Sequence, residues 1–182
     1  MNRVILTPAT LPSSALAELK QWLGITTEQD DDALLALLAT ALDTCEAFTG
    51  TLPLALPCEE RLNAGRDWTA LASRPVQAIT ALEWLAPDGA RSTVSSEAYA
   101  AELDADGTGR IRLEGVPQTN RVVVTFTAGL AADWDALPAS LRHGLIRLAA
   151  HQYRERENGS NAQQPPAAIA ALWRPWRRMR LA

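Results

Sequence analysis

Lysine is almost missing from this sequence. Of its 17 basic residues only Lys20 is a lysine, and the chain is also rich in alanine, so the bias reads as base composition rather than function. Cysteine is scarce too. Cys45 and Cys58 are the only two and form no C-x-x-C pair; Cys45 falls in a helical apolar stripe, which predicts a buried, reduced thiol rather than a disulfide. No apolar run reaches a membrane span: the longest, Ala33 to Leu42, is about half the required length. The opening MNRVILTPAT is too short and too quickly polar for a signal peptide. These absences predict a protein made in a reducing cytoplasm, with no membrane partner.

Catalytic signatures are missing as well. There is no G-x-x-x-x-G-K-[ST], no G-x-G-x-x-G and no G-x-S-x-G, so nucleotide cradling and a serine nucleophile elbow have no support. Asp104, Asp106 and Gly109 open like positions one, three and six of a calcium loop. Position twelve is Gly115 instead of a bidentate Glu, and the flanks read as strands, so a hairpin turn is the expectation. His143 and His151 stand eight residues apart on one helix, about 80° around its axis, which is not the i, i+4 pair of a zinc helix. His151 and Glu155 do have that spacing and suit a modest surface pair. No metal, cofactor or enzymatic activity is expected.

What is present is an ordinary globular composition, 47% hydrophobic and 21% charged over 182 residues, enough for a sizeable core. Charge is unevenly spread. Residues 1–135 hold 9 basic and 19 acidic side chains, and residues 136–182 hold 8 and 2, net −10 against +6. Opposed ends could attract between copies or meet nucleic acid or an acidic protein face; the plain alternative is two solvated surfaces.

The stretch Leu137 to Glu157 organises the fold. Leu141, Leu145, Leu148, Ala149 and Tyr153 form one apolar stripe of a long helix, with Pro138 in its first turn and Asn158-Gly159 as a stop. Its partner is a helix from Asp30 to Phe48, whose face is Leu34, Leu38, Leu42, Cys45 and Phe48 and whose end is Gly50. Asp30, Asp31 and Asp32 suit that helix's N-terminus by capping and by the dipole. A first helix runs from a Ser13 or Ser14 cap to Leu23, with Leu16, Leu19, Trp22 and Leu23 inward and Gly24 ending it.

Between the helices the pattern turns to strands. Residues 1–10 read as extended, Glu59 to Asn63, Val76 to Leu85, Tyr99 to Leu103, Arg110 to Leu113 and Arg121 to Thr127 as strands, with helix the alternative for the alanine-bearing Val76 to Leu85, and Pro87-Asp88-Gly89 as a turn. Short turns favour antiparallel pairing. The expected class is α+β: an antiparallel helical frame with an inserted β-rich antiparallel subdomain. As one domain over 1–182, it comprises N-terminal helices over 11–50, the insertion over 51–130, the long helix over 136–158 and a linker with a terminal segment over 159–182.

That terminal segment interleaves Trp173, Trp176 and Met179 with Arg174, Arg177, Arg178 and Arg180, after Pro165-Pro166 and a short helix that Pro175 should break. Three readings stay open: a docking tail built from anchor-type residues, a phosphate-binding segment in which tryptophans stack on bases, or a cover for the protein's own core.

Three blocks together resemble the head–tail connector (adaptor) proteins of long-tailed phages and gene transfer agents. They are LAELKQWLGITTEQDDDALLALLATALDTCEAFTG, RVVVTFTAGLAADWDALPASLRHGLIRLAAHQYRERE and PPAAIAALWRPWRRMRL, in that order. Gly144 stands where the family usually has Ala, and Phe126 where Tyr is common. The resemblance implies a structural protein of the virion or phage-like particle neck: a ring, commonly of twelve subunits, under the portal. Its implied partners are the portal protein, further copies of itself, a stopper or tail-completion protein, and DNA passing without sequence-specific binding. It also implies portal docking by Trp173, Arg174, Trp176, Arg177 and Arg178. DNA should slide past such a ring, so Asp30, Asp31 and Asp32 are candidates for an acidic channel lining. A small DNA-binding module using the basic C-terminal segment is the alternative.

Overall fold

A computed structural model describes residues 3–155 and 165–177. The expected helix stop at Asn158-Gly159, the polar stretch to Gln164, and Arg178, Met179 and Arg180 lie outside those residues. The chain divides into two compact units, one of residues 1–8 and 55–130, the other of residues 9–54 and 131–182. Helices and antiparallel sheets make the fold α+β, as expected.

The second unit is helical: α1 (Ser13–Leu23), α2 (Asp31–Thr49), α3 (Ala139–Glu155) and α4 (Ala167–Trp173), with a 3-10 turn at Arg174–Trp176. Gly24 and Gly50 end α1 and α2 in the left-handed conformation, at φ 74° and 71°, where a side chain would be strained. Neither Ser13 nor Ser14 caps α1. Pro12 is the cap residue, with its φ already near the helical value, and Ser14 Oγ instead donates to Asp135 Oδ2 at 3.3 Å.

The core of this unit joins Leu19 of α1, Leu34, Leu38 and Cys45 of α2, Leu141, Leu145 and Ala149 of α3, and Ile169 and Trp173 of α4, all buried. α3 packs on α2, the long-range partnership that their stripes require. One polar bond fixes their register: Tyr153 Oη donates to Asp30 Oδ2 at 2.6 Å. The sequence-based inward placement of Trp22 does not hold. Its side chain is 46% exposed, because α1 buries only the narrow face carrying Ala15 and Leu19. The ends of the insertion are tied together here: Ala131 N–H donates to Pro53 O at 3.1 Å, and Leu54 bridges Ala131.

The described residues of the first unit form eight strands. They are β1 (Arg3–Ile5), β2 (Leu56–Asn63), β3 (Thr69–Ala70), β4 (Val76–Leu85), β5 (Arg91–Thr93), β6 (Tyr99–Leu103), β7 (Gly109–Leu113) and β8 (Arg121–Ala128). One sheet has the order β1-β2-β8-β4-β5, the other β3-β7-β6, with every named pair antiparallel. β8, the run RVVVTFTA, lies between β2 and β4, and its consecutive valines, Val122 to Val124, are all buried, so side chains on both faces of this strand are covered. Register places Cys58, Glu60, Val122, Val124, Phe126, Leu82 and Trp84 on one buried face.

Candidate functional site

The C-terminal segment is seated on the helices of its own unit. Trp173 is fully buried, and its indole N–H donates to Leu141 O at 3.3 Å. The ring of Trp173 stands 6.1 Å from that of Phe48 in α2. Gly144 makes the fit. A Cβ there would overlap the indole nitrogen and approach two ring carbons to 2.8 and 2.9 Å. The next turn continues the contact: Trp176 N–H donates to Ser140 Oγ at 3.0 Å, and the Arg177 guanidinium lies 5.3 Å from the centre of the Phe48 ring.

This arrangement separates the five residues of the docking expectation. Trp173 belongs to the core and presents no surface. Trp176 is half-buried, Arg174 and Arg177 are exposed, and Arg178 lies outside the described residues. Arg174 and Arg177 are therefore presented on a surface whose aromatic anchor is internal.

The three aspartates at the start of α2 are not equivalent either. Asp30 accepts the Tyr153 bond, and Asp31 pairs with Lys20 Nζ at 2.7 Å, across to α1. Asp32 is exposed, and its side chain has no hydrogen bond or ion pair among the described residues. On α3, His151 Nε2 and Glu155 Oε2 stand 3.1 Å apart, the pair that their spacing predicts. His143 meets the exposed Trp22 edge to face, ring centres 5.2 Å apart.

In the β unit, Asp104 and Asp106 serve a hairpin rather than a cation. Asp104 pairs with Arg110 at 2.8 Å, and Asp106 Oδ1 accepts the Thr108 N–H at 2.9 Å. Bonds from the Thr108 side chain and backbone, with Arg110 beside it, hold the Asp106 carboxyl below the ordinary aspartate range. No group of three or more His, Cys, Asp or Glu among the described residues is arranged to hold a metal. Among those residues no helix is long and apolar enough to cross a membrane.

Glu60 is the buried acid of this unit. Its two carboxylate oxygens accept the Ala72 N–H at 3.3 and 3.0 Å, and burial pushes its pKa up, opposed by that bond, by Arg3 and by the Ser73 backbone. In the helical unit burial also raises the Cys45 thiol, to about 12; its bond with Thr49 lowers it and the Glu46 charge raises it. Both cysteines are buried thiols, and no disulfide joins them.

One cluster had no local signature in the sequence. Arg91 of β5 grips Glu59 of β2 with both guanidinium nitrogens, at 2.8 and 2.9 Å, and reaches Glu83 of β4 at 3.3 Å. Beside it a cleft of about 720 Å³ opens at the end of the five-stranded sheet, with Arg61, Arg91 and Arg121 in its lining. These arginines come from three strands far apart in sequence, and only register assembles them.

Comparison with known proteins gives a consistent picture. The model of the family described as "Phage gp6-like head-tail connector protein" matches residues 13–82. No curated protein matches. Among solved structures, a chain in the virion of a native gene transfer agent particle is 30% identical, with TM-score 0.78, over 100% of this chain and 98% of that one. A chain of the native particle's neck, computed with C12 symmetry, is 30% identical with TM-score 0.77 over the same shares. A chain of the empty particle's neck, computed with C6 symmetry, is 29% identical with TM-score 0.80, again over 100% and 98%.

Proposed function

The chain belongs to the phage gp6-like head–tail connector family, and on that premise we propose that it is a structural subunit of the neck, forming a ring of copies under the portal. The ring extends the DNA channel and joins the capsid to a stopper or tail-completion protein. It acts by assembly and not by catalysing a reaction. The observation that carries this reading is the full-length likeness to neck chains of gene transfer agent particles at about 30% identity, covering helical and β units alike.

The portal contact is assigned to the C-terminal segment. Arg174, Trp176 and Arg177 make the contact, together with Arg178, and buried Trp173 sets their position. Exposed arginines beside a half-buried tryptophan are the residue types of interface anchors. An acidic channel lining narrows to Asp32, because Asp30 and Asp31 are engaged within the helical unit. The DNA-binding alternative loses its stacking platform, since Trp173 is enclosed.

Deleting the gene from a particle-producing strain tests the proposal. Connector loss should leave DNA-packaging heads without tails, restored by the gene in trans. Fully tailed, DNA-delivering particles without this chain would refute it.

A further inference from the structure

The cleft at the end of the five-stranded sheet is cationic and only partly neutralised. Arg91 is committed to Glu59 and Glu83. Arg61 and Arg121, both exposed, have no ion-pair partner among the described residues. Gln118 and Asn120 add amide groups to the same lining. The nearest acid in the turn, Asp88, directs its carboxylate to the Ala90 N–H at 2.9 Å. Two guanidinium forks at one opening, with amide donors beside them, match an oxyanion pair.

We propose that this cleft is a carboxylate-binding site, filled in the assembled neck by an acidic segment of a neighbouring copy of the same chain. The inference rests on the ring reading above and names a contact within it. Charge favours a carboxylate over a nucleic acid. The unit that carries the cleft, residues 1–8 and 55–130, holds 8 basic and 10 acidic side chains, so Arg61 and Arg121 stand as an isolated cationic pair on a mildly acidic surface, with no continuous basic track for a long polyanion but room for a single acidic side chain. Each copy also supplies the ligand. Glu28, Asp43, Glu97 and Glu102 are exposed and have no ion-pair partner among the described residues. A cation cleft and free acids on the same chain give an unlike contact between copies, the head-to-tail kind that closes a ring.

The test replaces Asn120, on the cleft's lining, with a photoreactive benzophenone amino acid in particles carrying the full-length chain. Captured peptides are identified by mass spectrometry, and copies per particle are counted in the same sample. The expected capture is a Glu- or Asp-bearing peptide of the chain itself. It should fall at least about tenfold in R61E/R121E, the ratio that 1.4 kcal/mol of lost pairing gives. It should fall less in R61K/R121K, which keeps the charge but not the planar fork, and an unchanged unfolding temperature in both variants controls for folding. Many copies per particle with no self-capture, or with capture of DNA or another neck protein alone, would overturn the cleft assignment and leave the ring standing. A single copy per particle, or none, would overturn both.

Discussion

The Trp173 indole nitrogen fills the space that a Cβ on Gly144 would occupy, so a glycine in the middle of α3 and a tryptophan 29 positions later form one packing unit. Glycine in a helix interior costs about 1 kcal/mol relative to alanine. The enclosed indole and its bond to the Leu141 carbonyl offset that cost.

Gly144→Ala therefore tests which effect wins. Helix propensity alone predicts a gain, but overpacking costs about 1–3 kcal/mol, and the ring cannot retreat without losing its Leu141 bond. The expected result is net destabilisation in chemical denaturation, with red-shifted tryptophan fluorescence. A stabilised variant with unchanged fluorescence would show that the fit is not tight.

The Cys45 thiol, pushed up to about 12 by burial, should not exist as thiolate in the folded protein at pH 8. Ellman's reagent is expected to detect no reactive Cys45 in the native chain and a rapid reaction after denaturation. The Cys45→Ser variant assigns the signal. Rapid labelling of native Cys45 would contradict its placement in the core.

Glu60 gives a pH dependence with a definite sign. Because its folded-state pKa is raised, the carboxyl is neutral in both states at low pH and costs nothing there. As pH rises through the window between the ordinary and the raised value, the unfolded chain ionises first and stability falls; above the raised value the loss is complete. Glu60→Gln stays neutral throughout and can still accept from Ala72. Its stability should lack this decline when denaturation is measured from pH 4 to 7. An unchanged slope would assign the dependence to other groups.

Arg174→Glu with Arg177→Glu should leave folding nearly intact, within about 0.5 kcal/mol for Arg174, since both side chains are exposed. Arg177 also loses its stacking on Phe48, worth roughly 0.5–1 kcal/mol. Portal binding should fall by an order of magnitude or more in a pull-down with full-length chains. Trp173→Ala acts differently, costing about 3–5 kcal/mol of stability through the cavity it leaves. Equal binding by the charge-reversed pair and the unaltered chain would remove these arginines from the interface.

The legible parts of the fold were those set by local chemistry. Gly24 and Gly50 marked the ends of α1 and α2 because only a left-handed residue was needed there. The stripe from Leu141 to Ala149 identified the buried face of α3, and the valines of β8 marked a strand. Tertiary context decided the rest. β3 and β5 are two and three residues long, too short for a periodic signal. Trp22 lies beside Leu19 and Leu23 by period, yet α1 meets its neighbours on a narrower face. Trp173 and Trp176 looked alike in sequence; the notch at Gly144 makes one core and leaves the other half-exposed. The arginine cleft depends on strand register, which no local pattern encodes.

The central claim is that this chain is a ring-forming subunit between portal and tail. It is tested most directly by the native mass of the full-length protein, 19.7 kDa per copy, alone and mixed with its portal, beside the Arg174→Glu/Arg177→Glu variant, which keeps the core residues Ile169 and Trp173. The expected result is a portal complex carrying about twelve copies, as in a neck of C12 symmetry, and its weakening in the variant. A full-length chain that stays monomeric and ignores the portal would contradict it.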